Sequence, residues 1–176
     1  HSSPARFDMK KLEAINGDKI RALSPDEFLK WSLPFLTNAG IISGTDAELN
    51  LVKAALPIIQ ERIVKLDEIP AMLKFLFVKE FAVEADSKEK IKDDQSKQVL
   101  KRALEVLEPL ATWNHESIEG ALRAALIEEM GLKPRIAFGA VRIAATGSHI
   151  SPPLFESMEL LGKEASISRI KGAISL

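Results

Sequence analysis

The sequence predicts an all-α protein, a helical bundle or cage of about nine or ten helices arranged in two lobes. Three observations favour this fold class. Apolar residues recur at steps of three and four along most of the chain, helix-starting residues precede several of these stretches, and no alternating apolar run lies between hairpin turns. With 46% hydrophobic residues among 176, the chain can bury a core, so disorder is not expected.

The first clear helix start is at Ser24. Serine is a good capping residue, Pro25 suits the first helical position, and the acids Asp26 and Glu27 suit the first turn. We expect this helix to end near Gly40, because glycine commonly follows the last turn of a helix.

A second helix is predicted over residues 45–66, with Thr45 as its cap. One face of it carries the apolar residues Leu49, Val52, Leu56, Ile59, Ile63 and Leu66. Pro57 lies within this pattern, and we expect it to kink the helix or divide it in two.

Three further helices are predicted over 96–111, 115–131 and 135–145. The second is expected to end at Gly131. The third is rich in small residues, which could be mistaken for a strand, but its spacing also suits a closely packed helix.

The polar and charged segment 84–97 separates two apolar blocks, so it is the predicted boundary between the lobes. We therefore expect a first helical lobe over 1–90 and a second over 91–176. The alternative is that 84–97 is an exposed helix start. No repeat of roughly 30 to 50 residues is visible, which argues against a helical solenoid.

Composition excludes several classes of function. The chain has no cysteine, which rules out disulfides and thiolate metal sites, and its three histidines are too scattered to predict a metal site. A Gly-rich phosphate loop, a His-Glu-x-x-His motif and a nucleophile elbow are all missing, so no catalytic residue is predicted. No apolar run reaches the roughly 18 residues of a membrane span, and the first residues lack signal-peptide features. We expect a cytoplasmic protein without membrane contact.

Charge is unevenly distributed, although the net charge is only −1. Residues 131–176 contain six basic and three acidic side chains, so a polyanion site would involve this last quarter. The alternative is a chance fluctuation of composition.

The most informative stretch is 141–164, which combines a small-residue helix, a polar turn and a new helix begun at Ser151. Arg142 would lie near the helix end that leads into the turn. A basic side chain, a hydroxyl group and the apolar Leu154 and Phe155 close together could bind an unstacked base.

This stretch resembles the carboxy-terminal signature of bacterial glutamyl-tRNA synthetases. The matching runs are Val-Arg-Ile-Ala-Ala-Thr-Gly at 141–147, Ser-Pro-Pro-Leu-Phe-Glu at 151–156 and Leu-Leu-Gly-Lys-Glu at 160–164. The opening is similar too, with Arg-Phe-Asp-Met-Lys-Lys-Leu at 6–12 and Ile-Asn-Gly-Asp-Lys-Ile-Arg at 15–21. Residues 132–140 depart from the family pattern, although we still expect a helix there.

The resemblance implies the anticodon-binding part of a glutamate–tRNA ligase. That family joins glutamate to its tRNA with ATP and Mg²⁺, in an amino-terminal domain whose two nucleotide-binding signatures do not occur here. We therefore expect a non-catalytic, monomeric fragment that needs no cofactor of its own. Its partner would be the anticodon stem and loop of glutamate tRNA, and its amino-terminal helices would resemble those that contact the stem.

The family's anticodon residues match five positions. Arg62, expected within the long helix, would contact the third anticodon base, where glutamate and glutamine anticodons differ as C against G. Arg142 would contact the first anticodon base. Ser151 and Leu154 match loop positions near that base, and Phe155 would pack beside them.

Structural alternatives exist for each of these residues. Arg62 could be a solvated arginine beside an apolar stripe, and Leu154 and Phe155 could belong to the core. Lys163 and Arg169 could contact phosphate, although ordinary surface charge is the simpler interpretation. For the whole chain, the runner-up is a helical protein-interaction module that binds no nucleic acid. A DNA-binding helix-turn-helix protein is a third possibility, which the lack of a basic recognition helix disfavours.

Overall fold

The computed structural model describes residues 8–176, and within that range the chain forms ten α-helices and no strand. The all-α prediction and the helix count are confirmed. The helices are α1 (Met9–Arg21), α2 (Pro25–Asn38), α3 (Asp46–Gln60), α4 (Ile69–Leu73), α5 (Ala85–Lys88), α6 (Asp94–Leu107), α7 (His115–Leu122), α8 (Pro134–Thr146), α9 (Leu154–Leu161) and α10 (Lys163–Ile174). None of the described helices is long and apolar enough to cross a membrane.

The chain divides into two compact units, the first ending at Lys74 and the second beginning at Phe75. The expected boundary after residue 90 thus differs from the structural one. The polar segment before α6 is part of the second unit, because the Glu84 N–H donates to the carbonyl oxygen of Gly147 over 2.8 Å. Whether the two units divide the function as the predicted lobes would stays a prediction.

Helix starts in the first unit follow the predicted capping chemistry. Ser24 and Glu27 form a reciprocal capping box at α2, and Thr45 and Glu48 form another at α3. The Glu48 carboxylate accepts the Thr45 N–H over 2.9 Å, which lowers the pKa of Glu48 to about 2. The end of α2 at Asn38 also agrees with the expected stop near Gly40.

Helix α3 differs from its prediction in two ways. It continues through Pro57 without dividing, because Pro57 lies on the exposed side, where water can bond the carbonyl that loses its helical partner. It also ends at Gln60, earlier than predicted. The apolar pattern continued beyond that point because Ile63, in the following turn, is fully buried.

The second unit has one hydrophobic core. Helix α10 packs against α6 and α8, while α7 packs against α9. Large side chains that are fully buried in this core include Ile91, Leu100, Leu107, Ile118, Leu122 and Leu126. Helix α8 forms as predicted despite its unusual start, and its small residues Ala137, Ala144 and Ala145 are buried.

The predicted helix over 115–131 has two parts. Helix α7 continues as a π-helical stretch, Arg123–Glu129, in which the wider turns carry the hydrogen bond from Met130 N–H to the Ala125 carbonyl. Gly131, with φ of +66°, follows this stretch as expected. The π geometry was not predictable, because its apolar spacing also suits an α-helix.

Two polar contacts join the start of α7 to α9. The Trp113 indole N–H donates to the carbonyl of Met158 over 2.9 Å. The Glu159 carboxylate accepts the His115 backbone N–H over 2.9 Å and lies 2.6 Å from His115 Nδ1. The hydrogen bond to Glu159 raises the pKa of His115, and the bond from the His115 backbone is the largest cause of the lowered pKa of Glu159. The predicted helix-start position of His115 is confirmed.

We predict that His115→Gln destabilises the protein more at about pH 5.5 than at about pH 9. A raised histidine pKa contributes stability that is full below the unfolded pKa and is lost as pH rises through the folded pKa. The lowered pKa of Glu159 also contributes to stability. That contribution is present above the unfolded pKa of the carboxyl group and is lost as the pH falls through its folded pKa. Urea unfolding at the two pH values measures the difference.

The control for this prediction is the same substitution in a Glu159→Gln background, where the pH dependence attributable to the pair should be absent. An equal cost of His115→Gln at both pH values in the unsubstituted background contradicts the prediction.

Candidate nucleic-acid interface

Arg62 lies in the turn immediately after α3, and not within the helix as predicted, because α3 ends at Gln60. Its side chain is exposed. Within residues 8–176 it has no hydrogen-bonding or ion-pair partner. Arg62 is therefore placed where it could donate to a ligand without breaking an internal contact.

The turn that carries Arg62 is fixed against α1. The Asn16 side-chain amide donates to the Val64 carbonyl oxygen. Gly17 is buried beside it, and an added Cβ there would lie 3.2 Å from Val64 Cγ1. The Asn-Gly pair of the opening motif therefore has a structural explanation. Asn16 hydrogen-bonds the turn, and Gly17 lacks a side chain that would keep the turn away from α1. Residues 6 and 7 of that opening motif lie outside the described residues.

Further contacts hold both ends of the same turn. The Gln60 amide donates to the carbonyls of Ile20 over 2.9 Å and Leu23 over 3.0 Å, at the end of α1. Lys65 forms an ion pair with Glu13 at 2.9 Å. Because both ends of the turn are held, the position of the Arg62 backbone is defined by α1.

Arg142 is half-buried on α8, one turn before the end of the helix. Its Nη1 donates to Ser151 Oγ over 2.9 Å and to the Pro152 carbonyl oxygen over 2.8 Å. The structure thus brings two of the predicted site residues, Arg142 and Ser151, into direct contact. These bonds hold the guanidinium at the loop between α8 and α9.

Leu154 and Phe155 lie at the start of α9 and pack inward. Leu154 is only 3% exposed and belongs to the core. The half-buried Phe155 ring packs edge-to-face on Phe138, with ring centroids 5.2 Å apart. Their packing matches the core alternative, so a base contact by either side chain stays a prediction.

Gly147 forms the turn between α8 and the loop. Its φ is +83°, a left-handed conformation that favours glycine. An added Cβ would lie 2.9 Å from the Ala82 carbonyl oxygen and 3.2 Å from the Phe81 ring. The preceding Thr146 hydroxyl donates to the Arg142 carbonyl over 2.8 Å. The Thr-Gly pair of the signature is therefore required by the path of the backbone.

Arg169 on α10 braces the same turn. It donates from Nη1 to the Ala145 carbonyl over 2.8 Å and from Nη2 to the Phe75 carbonyl over 2.9 Å. Its guanidinium carbon lies 4.0 Å from the centroid of the Phe81 ring. Burial lowers the pKa of Arg169 to about 10, so the side chain is still charged at neutral pH.

Both interpretations of Arg169 from the sequence, a phosphate contact and an ordinary surface charge, therefore need correction. It is not a free surface charge, and it could contact a phosphate only by breaking these internal bonds. Lys163 is similarly engaged, because its Nζ donates to the Leu110 carbonyl over 2.8 Å.

A groove of about 890 Å³ runs beside α8. Its charged and ionisable lining residues are Lys90, Asp93, Arg135, Arg142 and His149, and its other lining residues include Gln95, Ser96, Ile136, Phe138 and Gly139. Lys90 and Arg135 are not among the site residues predicted from the sequence. They come from segments far apart in the chain, and the basic excess of the last quarter was the only signal that pointed toward Arg135.

Among the described residues, no three histidine, aspartate or glutamate side chains lie together so as to hold a metal ion.

We predict that Gly147→Ala costs more free energy of unfolding than Gly131→Ala. Both glycines have positive φ, so each alanine should cost about 1–2 kcal/mol of backbone strain. Only Gly147 has a backbone oxygen within 3.0 Å of the added Cβ, whereas Gly131 has nothing within 4 Å. Chemical denaturation of the two variants measures the difference, and equal losses would show that the close approach to Ala82 carries no cost.

Comparison with known proteins agrees with this architecture. The family model described as "Anticodon binding domain" matches residues 27–174. A glutamate–tRNA ligase of a Nocardioides species is 49% identical over 177 residues, covering 98% of this chain and 36% of that protein. The corresponding ligase of Saccharopolyspora erythraea is 44% identical over 176 residues, covering 98% of this chain and 35% of that protein.

A solved structure shares the fold. The crystal structure of a glutamate tRNA ligase from Elizabethkingia meningosepticum in complex with its amino acid has a TM-score of 0.73 and 22% sequence identity, covering 99% of this chain and 34% of that one. The chain thus spans about a third of the length of the ligases it matches. It belongs to the anticodon-binding domain family and corresponds to the carboxy-terminal region of glutamate–tRNA ligases.

Proposed function

We propose that this chain recognises the anticodon of glutamate tRNA, as the RNA-binding part of a glutamate–tRNA ligase. The observation that carries the proposal is Arg142, which Ser151 and Pro152 hold at the edge of a groove with several basic side chains, within a domain of the anticodon-binding family. Ligation with ATP and Mg²⁺ would belong to the remainder of the ligase. The chain would act as a monomer in the cytoplasm.

At the first anticodon base, Arg142 would supply guanidinium donors to the base edge. Its bonds to the loop orient the side chain before RNA arrives, so less side-chain entropy is lost on binding. Ser151 would fix the orientation of Arg142, and Phe155 would support the loop from the core side through Phe138. Leu154 would act mainly by anchoring the start of α9.

At the third anticodon base, Arg62 would favour C over G. The exposed, unpartnered side chain described above is free to donate, and C presents acceptor groups where G presents donors on the pairing edge. A well-placed arginine contact should discriminate by roughly 1–3 kcal/mol, by analogy with base readout in DNA.

The competing function is a protein-interaction module without RNA binding. The observation in its favour is the row of exposed apolar side chains Met9, Leu12 and Ile15 along α1, each at least 45% exposed. The family match weighs against it, and it predicts no salt-dependent RNA binding.

The deciding experiment is a salt titration of binding to two transcripts, glutamate tRNA and the same molecule with its third anticodon base changed from C to G. Tighter binding to the first supports anticodon recognition. Equal binding that fades with salt would mean generic phosphate attraction. No binding to either transcript at low salt contradicts the proposal and favours the protein-interaction alternative.

We predict that Arg62→Gln narrows the preference for C over G at the third base, because glutamine lacks the charged donor. Arg142→Gln serves as the reciprocal control. It should narrow discrimination at the first base and leave the third-base preference unchanged. Binding constants for tRNAs that differ at one anticodon base measure both ratios, and an unchanged third-base ratio in Arg62→Gln excludes this role.

A further inference from the structure

One face of α8 carries two arginines with an open space between them. Arg135, Gly139 and Arg142 follow one another at steps of four and three, and all three line the groove. A Cβ added at Gly139 would meet no atom within 4 Å. Packing therefore does not require glycine here, although glycine weakens a helix. Its effect is to leave the helix backbone uncovered between the two arginines.

The charges around this space favour an anion. Lys90 lines the groove together with the two arginines, and Asp93 is the one carboxylate lining it. Asp93 is engaged in capping α6, where it accepts the Ser96 N–H over 2.9 Å and the Ser96 hydroxyl over 2.7 Å. In the part of the chain that the structure describes, the side chains of Arg135 and Lys90 have no internal partner.

Apolar surface lies among these cations. Ile136 is 42% exposed and lines the groove. The half-buried Phe138 ring also lines it. A strand of nucleic acid with unstacked bases presents both anionic phosphates and apolar base faces, and this mixed lining suits both. A purely acidic peptide would pair with the basic side chains of the groove but would offer no apolar surface to Ile136.

We propose that the groove beside α8 binds a single-stranded segment of RNA, with Arg135 and Lys90 bonding phosphates and the sugar–phosphate chain lying against the helix backbone at Gly139. This inference rests on the proposed function and deepens it. It adds two phosphate-binding residues and a path for the strand to the base contact assigned to Arg142. Phosphate contacts position the strand, whereas Arg142 would select a base.

Neutralising the cations tests the phosphate contacts. Arg135→Gln and Lys90→Gln should each weaken binding of the chain to glutamate tRNA by about fivefold at 0.1 M salt, since each lost contact lowers the slope of log affinity against log salt by about 0.7. Base preference at the anticodon should not change. Lys101→Gln is the matched control, because Lys101 is an exposed lysine on α6 outside the groove, and its slope should stay unchanged.

Filling the open space tests the path of the strand. Gly139→Leu should weaken tRNA binding by more than the loss of one phosphate contact, without loss of helical content or thermal stability. Gly120→Leu is the matched control, because Gly120 also lies within a helix with nothing within 4 Å of an added Cβ, but outside the groove. Its tRNA affinity should match that of the unsubstituted chain.

The outcomes separate this inference from the proposed function. If the unsubstituted chain prefers C at the third base but Arg135→Gln, Lys90→Gln and Gly139→Leu bind as it does, the groove proposal is wrong and anticodon recognition stands. If polyglutamate displaces tRNA as well as unlabelled tRNA does, the groove is a general acidic-ligand site and the RNA proposal is overturned. If the unsubstituted chain binds no tRNA at low salt, both proposals are overturned.

Discussion

Side-chain donors to main-chain carbonyl oxygens hold two irregular segments, the turn that carries Arg62 and the loop that follows the helix of Arg142. Carbonyl groups beyond a helix end lack a helical partner, and leaving them unpaired away from water costs free energy. Asn16 and Gln60 supply the donors in the first unit, and Arg142 and Arg169 supply them in the second. The conformation of each segment therefore depends on polar side chains of the helices beside it.

The helices were largely predictable because their causes are local. A capping residue such as Ser24 or Thr45 and the spacing of apolar residues act within a few turns, so both appear in the sequence. The end of α3 was misplaced because tertiary packing continued a local pattern, with the buried Ile63 extending the apolar period beyond the helix. The segment before α6, predicted as the boundary between the lobes, is bonded to the second unit by Glu84.

The candidate site was predictable only in part. The motif around Arg142 and Ser151 is continuous in sequence, so its two members could be named together, and their contact follows from the short loop between α8 and α9. Lys90 and Arg135 come from separate elements, and no local pattern marks them. Arg169 illustrates the opposite error, since a basic residue on a terminal helix gives no sequence signal that two carbonyls and an aromatic ring enclose it.

At position 139, protein stability and ligand binding favour different residues. An alanine there would strengthen the helix, and its Cβ would meet no atom within 4 Å. A screen that rewards only thermal stability would therefore favour replacing this glycine, and the improved variants would be those least able to admit a ligand. Engineering of more robust forms of this domain should accordingly leave this position unchanged.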